Sequence, residues 1–181
     1  MIVSLAGMMG CGKSSVGREL SALLSLPFVD LDGYIEERQG CSVGEIFSKK
    51  GEAAFREMES QALDEILGGG RNGNRGGGLV LSLGGGTLTS AENAKKIAEK
   101  TLCIYLRATA DTLAGRLEGE AEGRPMLAGK NLHGRISEML EKRGPVYEKT
   151  ARHSLVTDGL SVGEIASMIA ELVMESPDFQ Q

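Results

Sequence analysis

The chain has 181 residues, 41% of them apolar and 25% charged, with a net charge of −5, few aromatic side chains and no Trp. That length and apolar share suit one domain with its own core. The acidic balance argues against a nucleic-acid-binding surface, and the scarcity of aromatic rings leaves no stacking platform for single strands.

In chain order, the apolar run Ile2 to Ala6 reads as a short buried strand. It runs into Gly7-Met8-Met9-Gly10-Cys11-Gly12-Lys13-Ser14, which fits G-x-x-x-x-G-K-[ST], the loop whose backbone N–H groups cradle nucleotide phosphates. A helix is expected from Ser15 to Leu24, with Val16, Leu20, Leu23 and Leu24 on one face. Glycines permit the backbone angles and close approach of such a loop, and the helix N-terminus presents unpaired donors and a positive dipole end. Gly10, Cys11, Gly12, Lys13, Ser14 and Ser15 are therefore candidate nucleotide-binding residues, with Lys13 at the β- and γ-phosphates and Ser14 at Mg²⁺. Cys11 is read as a small space-filling residue.

A second strand over 27–31 ends in acids, and its period-two alternation predicts that Asp30 and Asp32 point the same way. One acid would hold Mg²⁺ through water and the other would take a hydrogen bond from an acceptor hydroxyl; ordinary turn acids are the plainer alternative. A short helix from Tyr34 to Arg38 is broken at Gly40, and Ser42-Val43-Gly44-Glu45 is a capping box. A longer helix from Glu52 to Leu67 would turn Phe55, Met58, Ala62, Leu63 and Ile66 inward. Residues 68–78 are Gly, Asn and Arg throughout and predict a mobile surface loop.

A third strand, Leu79 to Leu83, runs into Gly84-Gly85-Gly86, where a ligand can lie against bare backbone. Thr89-Ser90-Ala91-Glu92 caps a helix to about Lys100, Leu102 to Leu106 is a fourth strand, and Thr109 caps a helix ending near Leu117. Helices over Leu132 to Arg143 and Val146 to Arg152 are expected with a break at Arg143-Gly144-Pro145. Ser154 to Thr157 is a fifth strand, and a second capping box at Ser161 to Glu164 opens the last helix, to about Met174. The alternation of strands and helices predicts a parallel sheet with helices on both faces, and ligands beyond the carboxyl ends of its strands.

Cys11, Cys41 and Cys103 are far apart and, with His133 and His153, form no zinc pattern. No run of 18 apolar residues exists, and the N-terminus lacks the basic and apolar regions of a signal peptide. A reducing cytoplasm and no membrane partner are expected.

Taken together, Gly7 to Ser14, Asp30-Leu31-Asp32, Phe55-Arg56 with Glu59, Leu83 to Gly86, Arg124-Pro125-Met126-Leu127 and Arg143 with Tyr147 resemble the shikimate kinase family, over nearly the full chain. The resemblance implies a three-layer α/β sandwich, the P-loop kinase fold, with a five-stranded parallel sheet of order 2-3-1-4-5. It implies one kinase domain over 1–175, a shikimate-binding region at about 32–60, a mobile lid at about 118–131, and a frayed tail at 176–181. The implied reaction is transfer of the ATP γ-phosphoryl group to the 3-hydroxyl of shikimate, by a monomer using Mg²⁺. Asp32 would be the base or hydroxyl orienter, Asp30 and Ser14 would hold Mg²⁺, and Lys13 and Arg124 would act on the phosphates. Arg56 and Arg143 would clamp the shikimate carboxylate, Glu59 would orient Arg56, Gly84, Gly85 and Gly86 would line the acceptor, and Arg116 would stack on adenine. Rival readings are a gluconate or nucleoside monophosphate kinase on the same fold, and a nucleotide-gated switch. No Asn-Lys-x-Asp guanine-reading sequence is present to favour the switch.

Overall fold

The computed structural model describes residues 1–69, 78–118 and 131–176. Most of the glycine-rich stretch, nearly all of the expected lid with its Arg124, and the tail from 177 lie outside the described residues. Ser176, expected to fray, is buried and closes the last helix.

Strands β1 (Ile2–Ala6), β2 (Phe28–Asp30), β3 (Leu79–Ser82), β4 (Leu102–Arg107) and β5 (His153–Val156) form one sheet in the order β2-β3-β1-β4-β5. All neighbouring strands are parallel, with Leu5 of the central strand in register with Ser82 on one side and Ile104 on the other. The strand order is the one expected. The helices are α1 (Lys13–Leu24), α2 (Leu31–Gln39), α3 (Val43–Leu67), α4 (Ala91–Lys100), α5 (Ala110–Leu117), α6 (Leu132–Thr150) and α7 (Val162–Glu175).

The β1-to-β2 crossover runs one way along the sheet; those from β2 to β3 and from β3 to β4 run the other. Right-handed connections therefore put α1 on one face and α3 and α4 on the opposite one. Helix α7 packs on α1, while α6 packs on α4 and β4. Covered on both sides, β1, β3 and β4 bury Val3, Leu5, Val80, Leu81, Ile104 and Leu106 completely, which is why they read as unbroken apolar runs.

Four local expectations change. Leu23 shares the stripe of Val16 but lies about two turns further along, and it is 51% exposed. Met58, Met139 and Leu140 are half-buried at the margin of the core, while Glu59, not foreseen as buried, is inside. The second strand stops at Asp30, which caps α2 by accepting from the Gly33 N–H at 3.2 Å, so Asp32 belongs to the first helical turn. The two acids are brought together by a helix start and not by strand alternation.

The fourth change is in α6, which continues through Pro145. The residues beyond the proline, Tyr147 and Thr150, are both buried, and their packing outweighs the hydrogen bond that Pro145 removes. In α3 the anticipated break is real: Gly51, at φ 83° and ψ 169°, leaves helical space just before Glu52.

The contrast between the two leucines is measurable. Leu5→Ala should lower the unfolding free energy by about 2–5 kcal/mol through the cavity it leaves, and Leu23→Ala by well under about 1 kcal/mol. Urea unfolding of both variants checks this, and comparable losses would contradict the burial described.

Candidate active site

The loop between β1 and α1 is shaped for an anion. Gly7, Gly10 and Gly12 all have positive φ (145°, 79° and 95°), conformations that a side chain would strain. Gly12 is the N-cap of α1 and no side chain satisfies the first turn, so the N–H groups there face outward for a ligand. Lys13 is buried and folded back, its Nζ donating to the carbonyls of Gly7 at 2.9 Å and Met8 at 3.0 Å. Cys11 is buried behind the loop.

Above this loop lies a cavity of about 660 Å³, lined by Gly10 to Ser15 and by Asp30, Asp32 and Arg116, with Leu160 to Val162 on its far wall. The Ser14 hydroxyl donates to the Asp30 carboxylate. Arg116, on the last turn of α5, reaches the carbonyls of Gly10 and Cys11 at 3.5 and 3.4 Å. The turn after β5 is tied to the start of α5 by Asp158, whose carboxylate accepts from the Thr109 N–H (3.1 Å), the Thr109 hydroxyl (2.8 Å) and the Thr112 hydroxyl. These bonds hold the Asp158 carboxyl below its ordinary value, the Thr112 hydroxyl most of all.

A second cavity of about 350 Å³ is lined by Asp32, Arg56, Glu59, Gly84 to Gly86, Phe47, Phe55 and Arg143. Arg56 and Glu59, three residues apart on α3, pair at 2.9 Å with the carboxylate almost fully buried. Glu59 accepts at its other oxygen from the Thr87 hydroxyl at 2.6 Å. Burial works against the charge of Arg56, but Glu59 and then Glu52 more than offset it and raise its pKa above the ordinary value. Gly86 makes room for this arrangement: a Cβ there would lie 2.4 Å from the Arg56 guanidinium. Arg143 donates to the Gly85 carbonyl at 3.1 Å.

Asp32, Met9 and Gly85 line both cavities, so the two meet at the Asp32 carboxylate. Its Oδ1 is sealed from solvent with no hydrogen-bond partner among the described residues. Burial, then the neighbouring charges of Glu59 and Asp30, push its pKa from 3.8 up to about 6, against the pull of Lys13 and Arg56.

The sequence candidates thus gather into two adjoining chambers, with Arg124 outside the described residues. The sequence offered no signal for Thr87, because a lone Thr after a glycine run has no periodic or motif partner. Asp158, between β5 and α7, belongs to no motif that would mark it.

A model of the family described as shikimate kinase matches residues 9–174. The chain belongs to the shikimate kinase family. A shikimate kinase from Thermus thermophilus is 43% identical over 93% of this chain and 88% of its own. The structure of the Acinetobacter baumannii shikimate kinase in complex with shikimate superposes with a TM-score of 0.88 at 31% identity, covering 96% of this chain and 92% of that one. The shikimate kinase of Bacteroides thetaiotaomicron gives 0.84 at 34% identity, covering 96% and 98%. As a shikimate kinase, the chain is an ATP-dependent phosphotransferase of the shikimate pathway. Among the described residues, no helix is long and apolar enough to cross a membrane.

The raised pKa of Asp32 carries a sign for stability. A carboxyl that holds its proton more tightly folded than unfolded costs stability once ionised, so the protein loses stability as pH rises through about 6. Asp32→Asn should therefore raise Tm at pH 8, by about 2–4 °C for each kcal/mol recovered. Thermal unfolding from pH 5 to 8 should show the gap to wild type closing below about pH 6. A gap that ignores pH would contradict this account of the buried carboxyl.

Proposed function

We propose that the two chambers hold the two substrates, ATP on the phosphate loop and shikimate among the arginines, and that the γ-phosphoryl group passes between them at Asp32 to the shikimate 3-hydroxyl. The observation that carries this reading is that the Asp32 carboxylate lines both cavities. Shikimate is a compact ring carrying one carboxylate and three hydroxyls. Arg56 and Arg143 supply planar donor forks for the carboxylate, and Asp32 accepts from the hydroxyl that attacks. Gly84, Gly85 and Gly86 leave backbone against which the ring can lie.

The proton of the attacking hydroxyl goes to Asp32 as the new O–P bond forms, and the bond from the γ-phosphorus to the β-phosphate oxygen breaks to release ADP. Lys13 leaves the carbonyls of Gly7 and Met8 to bind the β- and γ-phosphates, whose charge it offsets. The N–H groups following Gly12 and the side chains of Ser14 and Ser15 hold the remaining phosphate oxygens, and Arg116 covers the base. Ser14 and Asp30 are the hard oxygen donors that suit Mg²⁺, with Asp30 acting through water. Bound there, Mg²⁺ would neutralise phosphate charge. Arg124, outside the described residues, is proposed as a further cation for the phosphates.

Residues 1–175 work as one kinase domain, with 32–60 binding the acceptor. One chain supplies every group named, which supports a monomer without nucleic-acid or membrane partners. Cys11, Cys41 and Cys103 are unpaired thiols, in keeping with the reducing cytoplasm.

A coupled ADP-release assay with Mg-ATP against shikimate, quinate, gluconate and AMP tests the acceptor. Turnover should appear with shikimate alone, and turnover on another acceptor would overturn the assignment while leaving the phosphate loop intact. In the same assay, Arg143→Ala should raise the shikimate KM about 10- to 100-fold, as expected for losing a charge-assisted bond. Its ATP KM should stay within about twofold. An unchanged shikimate KM would remove Arg143 from the carboxylate clamp.

A further inference from the structure

The carbonyl of Gly85 accepts two hydrogen bonds from the same helix. One comes from Arg143 at 3.1 Å, and the other from the hydroxyl of Tyr147, one turn further along α6 beyond Pro145. Tyr147 is 1% exposed, packs its ring on Tyr105 at 5.1 Å and turns its hydroxyl to Gly85, the Met8 sulfur and the Arg143 guanidinium. A buried phenol aimed at a chamber-lining backbone carbonyl plays no part in the chemistry derived above. No peptide bond in the described residues is cis. In the trans peptide joining Gly85 and Gly86, the N–H therefore points opposite to the carbonyl. With the carbonyl pinned toward α6, the Gly86 N–H is turned away from that helix, and no described residue accepts from it.

We propose that Tyr147 is a positioning residue for the acceptor: by holding the Gly85 carbonyl it keeps the Gly86 N–H available to shikimate and releases Arg143 to bind the carboxylate. The second half follows from counting donors. Arg143 shares the carbonyl with Tyr147, so when a carboxylate draws the guanidinium away, the carbonyl remains satisfied and no buried acceptor is orphaned. Without the hydroxyl, Arg143 is the sole donor to that oxygen among the described residues and its departure leaves the carbonyl unpaired. Substrate binding would then be opposed by that loss, and the glycine peptide would be free to turn. The inference rests on the reading that Gly84 to Gly86 and Arg143 line the shikimate chamber.

Tyr147→Phe removes a single oxygen and keeps the ring packing against Tyr105, so the variant should fold. Its affinity for shikimate, read both as KM in the ADP-release assay and as Kd by calorimetry without nucleotide, should weaken about three- to tenfold, the range for one lost hydrogen bond. The ATP KM should stay within about twofold and kcat should fall less than the shikimate affinity does. Unchanged shikimate affinity overturns the proposal, whatever happens to Tm. A parallel rise in both KM values also overturns it, since that is general loosening. If the wild-type protein itself ignores shikimate, the acceptor reading falls and this proposal with it; a wild type that binds shikimate beside an indifferent Tyr147→Phe defeats the proposal alone.

Discussion

Glu59 is a carboxylate withdrawn almost entirely from water, and the acceptor side of the molecule is built around answering it. An ionised carboxylate in such a place is tolerable only if both oxygens are bonded and a cation stands close. Thr87 takes one oxygen and Arg56 the other, so the position of Arg56 follows from the burial of Glu59. The guanidinium is held within 5.3 and 5.9 Å of the ring centres of Phe55 and Phe47, and the bare backbone of Gly86 leaves room beside it. A long side chain that would lose much rotamer freedom on binding is thereby ordered in advance, which lowers the cost of gripping a carboxylate.

The same burial sets the character of Asp32. Placed beside one buried acid and near another, with one oxygen sealed and unpartnered, it is destabilised in the charged form. That is an unfavourable arrangement for folding alone and a suitable one for a group that must take a hydrogen bond or proton from an alcohol. On the nucleotide side the logic is reversed. The cradle is a helix start left without a cap and a lysine turned back onto its own loop, and an anion supplies what the fold omits.

Helix α6 joins the two sides. It presents Arg143 to the second cavity and, across Pro145, Tyr147 to the Gly85 carbonyl at its edge. A break at the proline, which local propensity favours, would separate these two donors. The buried Tyr147 and Thr150 keep the helix whole because the sheet and α4 already wait for that face.

Much of this protein was legible along the chain. The phosphate loop, both capping boxes, the hinge before Glu52 and the apolar strands depend on residues within a turn or two of one another, so neighbours in sequence suffice to specify them. Family resemblance added the strand order and named the side chains of the site. What only the tertiary structure decided were meetings across long separations: Glu59 with Thr87, Tyr147 with Gly85, Asp158 with Thr109, and the sharing of Asp32 between two chambers. The path of α6 through its proline and the exposure of Leu23 belong with these. Each depends on which surfaces the order β2-β3-β1-β4-β5 brings together, and burial, the term that then overrides local preference, exists only once those surfaces have met.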